Sequence, residues 1–175
     1  MPTLLPANFD EYVLQWQPFF TTVAAVSATL VGLLFVSLSL NRDKLAANSS
    51  GALLRVARRT FSDFLLVLLI ALFFLIPNQG RHPLSLELIM LALFRLKWLA
   101  TQIISAFRGD EKFTPRDLIH EYSLPLLSIL GLAAAGVGIY QGNILAVYYF
   151  IVPVIASLLF RASRNAWLLL IMEGQ

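Results

Sequence analysis

Four ionisable residues stand inside stretches that otherwise read as lipid-compatible: Asp63, Glu87, Arg95 and Lys97. A charge near the bilayer centre costs about 2.5–3.5 kcal/mol on insertion scales, so such residues are paired, snorkelled or functional. The chemistry open to them is electrostatic: an ion pair, a polar path for an ion or proton, or a contact between subunits. Covalent chemistry has less to work with. The chain has no cysteine, which excludes disulfides, thiolate metal sites and Cys nucleophiles. No Walker loop, HExxH or GxSxG occurs, and Gly136-x-Gly138-x-x-x-Gly142 lacks both the spacing and the preceding strand of a dinucleotide fingerprint. His120-Glu121 reads either as a proton-handling pair or as a hydrated helix start. No catalytic residue, no metal site and no cofactor is expected, and the chain is read as a non-enzyme.

The elements that must position these charges are membrane helices. Of 175 residues, 58% are hydrophobic and 13% charged, against roughly 25% charged in soluble domains. The apolar excess is gathered in blocks, which predicts an all-α integral membrane bundle of five transmembrane helices forming one domain, residues 1–175. The spans are placed at residues 19–40, 61–76, 84–107, 119–140 and 144–160, followed by an amphipathic cytoplasmic tail, 161–175. A helix beginning near Ala52 is expected to run straight into the second span. Pro77-Asn78-Gln79-Gly80 and Gln141-Gly142-Asn143 read as tight turns. Pro125 removes one backbone donor from the fourth span. No signal peptide is expected: the first 17 residues hold no Lys or Arg and include Asp10 and Glu11.

Alternate connections fall on opposite sides of a five-helix bundle. Arg42, Lys44, Arg55, Arg58, Arg59, Arg108, Lys112, Arg116, Arg161 and Arg164 collect on one side and only Arg81 on the other. This bias places the N-terminus outside and the C-terminus in the cytoplasm. It also assigns the net charge of +3 to membrane orientation; no nucleic acid is expected as a partner. Asn48-Ser49-Ser50 matches a glycosylation acceptor but falls on the cytoplasmic side, so it is set aside. His82 and His120 fall on opposite sides and share no metal.

The second and third spans form a hairpin turning near Gly80. Asp63 lies 17 residues before that point and Lys97 17 after it, so the two are expected at similar depth, with Arg95 about 3 Å further outward. An Asp63–Lys97 or Asp63–Arg95 pair follows as one reading. Arg95 and Lys97 are about 200° apart around a helix, so both cannot face Asp63. The structural alternative pairs Asp63 with Arg59 one turn earlier and lets Lys97 and Arg95 snorkel to an interface marked by Trp98 and Gln102. Glu87 reads as a wetted carboxylate near the outer end or as an outer-vestibule charge.

Small residues supply candidate packing faces. Ala24, Ala28 and Gly32 recur every fourth residue in the first span; Gly131, Ala135 and Gly138 belong to a dense run in the fourth. Such faces let backbones approach, either within one subunit or between subunits. The partners expected are therefore the lipid bilayer, a second copy of the chain, or another membrane protein.

The segments SATLVGLLFVSLSLN (Ser27–Asn41) and RNAWLLLIME (Arg164–Glu173) resemble a family of small, uncharacterised bacterial integral membrane proteins. Its members pair a "TGLLFVAxSIN"-like first span with an "NAWVLLVE"-like tail. Val31 stands where threonine is common. The resemblance covers about a quarter of the chain. It implies a bacterial cytoplasmic (inner) membrane, and it carries over no catalytic residue. Three functions stand: a homo-oligomeric channel or transporter-like assembly whose charged third helix lines a polar path; a non-catalytic accessory or scaffold subunit binding another membrane protein through its small-residue faces; and, weakest, a membrane enzyme acting on lipid, for which no cluster of nucleophile, acid and base can be assembled.

Overall fold

In a computed structural model of the chain, the backbone is described for residues 9–40, 52–108, 115–143 and 145–172. Every regular element among them is helical and none is a strand. In chain order they are α1 (Phe9–Leu40), α2 (Ala52–Leu75), α3 (Arg81–Arg108) and α4 (Pro115–Tyr140); a π-turn (Val147–Ile151) then runs directly into α5 (Val152–Met172). The all-α expectation holds. Three stretches are long and apolar enough to cross a membrane: Glu11–Leu40, Ser123–Tyr140 and Val147–Trp167. With 24 and 28 residues, α2 and α3 are as long, but charges interrupt them: Arg55, Arg58, Arg59 and Asp63 in α2, and Glu87, Arg95 and Lys97 in α3. Arg42, Lys44, Asn48-Ser49-Ser50, Lys112 and Ile144 lie outside the described residues.

The fifth helix does not stop at Phe160. No proline or glycine follows Pro153 before its end, and it continues to Met172, so Arg161 and Arg164 are helical rather than part of a separate tail. Arg81, His82 and Pro83 belong to α3 rather than to a connection before it. Pro83 is tolerated there because first-turn N–H groups have no intrahelical acceptor to lose.

The chain packs as two units. One comprises Asn78–Ser157 with the start of α1 up to Tyr12; the other comprises Val13–Pro77 with the chain from Leu158 on. In the first, α3 packs on α4 and α4 on the π-turn. Glycine decides how closely. A Cβ at Gly136 would come within 2.7 Å of Ile89 Cγ1 and 3.1 Å of the Ser85 carbonyl oxygen. The Ser85 hydroxyl donates in turn to the Gly136 carbonyl at 2.8 Å. One glycine thus admits the neighbouring backbone and accepts a hydrogen bond from a side-chain hydroxyl on that neighbouring helix. On other faces of α4, a Cβ at Gly131 would meet Val154 at 2.6 Å and one at Gly138 would meet Ala146 at 2.7 Å. Ala135 is fully buried. Gly131, Gly136 and Gly138 of the small-residue run thus serve contacts within this unit.

The connection from α4 is a Schellman turn. Asn143 N–H donates to the Gly138 carbonyl at 2.8 Å and Gly142 N–H to that of Ile139 at 3.0 Å, with Gly142 at φ +84°. That left-handed conformation favours glycine. Asn143 Oδ1 then accepts from Leu145 N–H at 3.1 Å. The π-turn follows because Pro153 has no N–H and its ring would press on the carbonyl four residues back, that of Tyr149. The backbone widens by one residue just before it, and Val152 N–H donates to Val147, five residues back.

In the second unit, Phe20 of α1 stacks on Phe74 of α2, with centroids 4.1 Å apart and planes 7° from parallel. Val23 and Ser27 continue the buried face of α1. Ala28 and Gly32 fall on the other side and are exposed, and nothing lies within 4 Å of a Cβ placed on Gly32.

The two glycine classes give opposite expectations. Gly136→Val should destabilise the fold by about 1–3 kcal/mol through overpacking, and Gly32→Ala should leave it unchanged. Denaturant titration of purified protein in mixed micelles measures both.

Candidate functional site

The buried face of α2 recurs at helical spacing: Ala57, Thr60, Asp63, Phe64, Val67, Ile70, Ala71 and Phe74. Asp63 occupies a core position in that stripe and is only 1% exposed. A carboxylate there cannot remain alone, since removing a charge from water costs several kcal/mol unless it is paired and hydrogen-bonded. The partner comes from α5. Leu158 and Ala162 form that helix's buried face, and Arg161 projects beside them. Its Nε donates to Asp63 Oδ2 at 2.8 Å, and its Nη2 donates to Asp63 Oδ1. The pair is bidentate, the fork geometry that only arginine offers a carboxylate.

Sequence reading placed Arg161 among the basic residues of a cytoplasmic surface. Its guanidinium is instead drawn into the second unit, with the side chain 12% exposed. Asp63 and Arg161 are 98 residues apart, and no local pattern joins them. The one available signal was a lone arginine sharing a helical face with Leu158 and Ala162.

Polar groups gather on the inward faces of this unit. Thr60 is fully buried, and its hydroxyl donates to the Val56 carbonyl at 2.9 Å. Four hydroxyls of α1, those of Thr21, Thr22, Thr29 and Ser39, are exposed and donate to the carbonyl four residues back. Ser27, fully buried on the same helix, does not: its oxygen has no hydrogen-bond partner among the described residues.

In the other unit, α3 buries Leu84, Leu88, Ala92, Arg95 and Leu99 along one face. Arg95 is 7% exposed, with Cζ 5.3 Å from the centroid of the Trp98 ring, within cation–π range. Lys97, on the opposite side of the helix, is exposed. The 200° separation thus resolves with Arg95 inward and Lys97 outward. Glu87 is half-buried, and its Oε2 accepts from Gln79 Nε2 at 2.6 Å. It is tied to the hairpin turn. His82 packs edge-on against Tyr140. Among the described residues no three His, Asp or Glu side chains come together as a metal site.

No family model, no curated protein and no solved structure matches the chain.

The ion pair predicts its own energetics. Asp63→Ala should destabilise the protein by about 3–5 kcal/mol, because it strands a buried guanidinium. The double replacement Asp63→Leu with Arg161→Leu should recover most of that loss, because apolar groups of similar size need no partner. Reversible unfolding of the single and double variants in mixed micelles measures the difference.

Proposed function

We propose that the chain is a multi-pass integral membrane protein of a bacterial cytoplasmic membrane, working as a homo-oligomeric, channel- or transporter-like assembly. Its helices line a polar path, and it carries out no catalysis. The observation that carries the reading is the buried Asp63–Arg161 pair within helices otherwise suited to lipid. Ionisable groups at such positions are expensive and mark paths for ions, protons or substrates. Ser27 and Thr60 add hydroxyls to the interior of the same unit, and Arg95 supplies an inward charge in the other. In this reading the ion pair is the closed state of a gate and Arg95 a lining charge. Five helices of this length hardly enclose a wide pore alone, which favours several subunits around an axis.

All five helices cross in this topology, with the N-terminus outside and the C-terminus in the cytoplasm. α2 and α3 cross as a hairpin in which Asp63 is paired, Arg95 lies on a buried face and Lys97 faces outward. The basic bias of the connections supports the orientation, and the resemblance of Ser27–Asn41 and Arg164–Glu173 to small bacterial membrane proteins supports the compartment.

A second reading has its own observation. The exposed Ala28 and Gly32, with open space over Gly32, suit an accessory subunit that docks α1 against another membrane protein. Gly32→Leu discriminates, because it obstructs that face without touching the fold. Loss of a co-purifying foreign membrane protein would favour the accessory role.

Purified protein in liposomes should pass ions, and Arg95→Ala should change that flux while leaving assembly intact. A correctly assembled wild-type protein with no flux for any small ion would overturn the path. For topology, a cysteine at Gly80, which is exposed, should react with an impermeant reagent from the side opposite to cysteines placed in 45–50 or 110–115. Reaction of all three from one side would reduce the crossings to α1, α4 and α5.

A further inference from the structure

We propose that the ends of α2 and α5 beyond the ion pair form a binding site for the headgroup of an anionic phospholipid in the cytoplasmic leaflet. The inference rests on the membrane reading above and adds a ligand to it. The Asp63–Arg161 contact sets the two helices side by side at one level. In the proposed topology α2 begins and α5 ends on the same side of the membrane, so the chain beyond the pair points the same way on both helices. At 1.5 Å per residue, Arg164 lies about 4.5 Å past the pair, Arg59 about 6 Å, Arg58 about 7.5 Å, Trp167 about 9 Å and Arg55 about 12 Å. Arg55, Arg59 and Asp63 follow one another at four-residue steps and share a ridge of α2.

Charge and exposure identify the occupant. Among the described residues of α2, and of α5 from Leu158 on, five arginines and one carboxylate, Asp63, give the two helix ends a net positive charge. Arg55, Arg58 and Arg164 are exposed, and Trp167 is 64% exposed beside them. Tryptophan at the end of a membrane helix anchors it at headgroup level. Guanidinium groups hold phosphate oxygens in the same two-pronged way that Arg161 holds Asp63. Basic clusters just cytoplasmic of membrane helices are attracted to anionic lipid. The class that fits is a phosphodiester headgroup with net negative charge, such as phosphatidylglycerol; a zwitterionic choline headgroup sets its own cation against the patch.

The test uses the full chain in mixed micelles containing phosphatidylglycerol or phosphatidylcholine, with bound lipid counted by native mass spectrometry. Wild type should retain phosphatidylglycerol in preference. Each of Arg58→Gln and Arg164→Gln should weaken its apparent affinity about fivefold and the double variant about thirtyfold, from the usual contribution of a basic residue near anionic lipid. Arg81→Gln, on the opposite side in this topology, should leave it unchanged. Both patch positions are exposed and outside the buried pair, so the variants should fold as wild type. Equal retention of the two lipids by wild type, or an unweakened double variant, would overturn the site. Release of the chain from phosphatidylcholine vesicles by alkaline carbonate would sink the membrane reading beneath it.

Discussion

A carboxylate on a buried helix face needs a counter-charge, and Asp63 obtains it from Arg161, 98 residues away. That requirement ties the second helix to the fifth. Apolar packing alone specifies such a contact weakly in a membrane, because lipid tails are as good a partner as leucine. A bidentate ion pair is directional: it fixes which faces meet and at what level. The ends of these two helices, including the run of arginines beyond the pair, take their register from that contact.

The helices of the other unit are held by a different device. Gly131, Gly136 and Gly138 each leave out a Cβ where another helix or turn already stands. Close backbone approach gains dispersion over a long seam and brings the Ser85 hydroxyl onto the Gly136 carbonyl. The Schellman turn at Gly142 and the π-turn before Pro153 are the local adjustments that return the chain along α4 in so few residues. They present Val154 of α5 to Gly131 and Ala146, before the π-turn, to Gly138. The α1 stripe of Ala24, Ala28 and Gly32 has the same composition, but among the described residues Ala28 and Gly32 lie open. Small residues mark where a neighbour is able to come close; which neighbour does so is a matter of connectivity.

The charges of α2 and α3 bear on topology through parity. Three crossings with a re-entrant hairpin and five full crossings put the basic connections on the same side, because a hairpin that enters and returns changes no sides. The positive bias therefore gives the same proposed orientation in either case and discriminates only at the tip, near Gly80. What favours full crossing is the treatment of the charges: Asp63 is paired, Arg95 lies on the buried face of its helix, and Lys97 alone of the inner three turns outward.

The amino-acid sequence by itself determined the helical class, the two tight turns and the density of glycine in α4. These follow from local physics: apolar blocks of helical length, prolines and glycines that break them, and a positive φ that glycine adopts freely. It also determined that Arg95 and Lys97 point apart, which is helix geometry alone. Only the tertiary structure decided that Asp63 takes the Arg161 guanidinium as a bidentate partner. The same holds for which small-residue face is covered. An ion pair's choice of partner depends on which helices become neighbours, a long-range property that no spacing along one helix encodes. Arginine at position 161 reads alike as a cytoplasmic anchor or a buried counter-ion until a carboxylate is placed beside it.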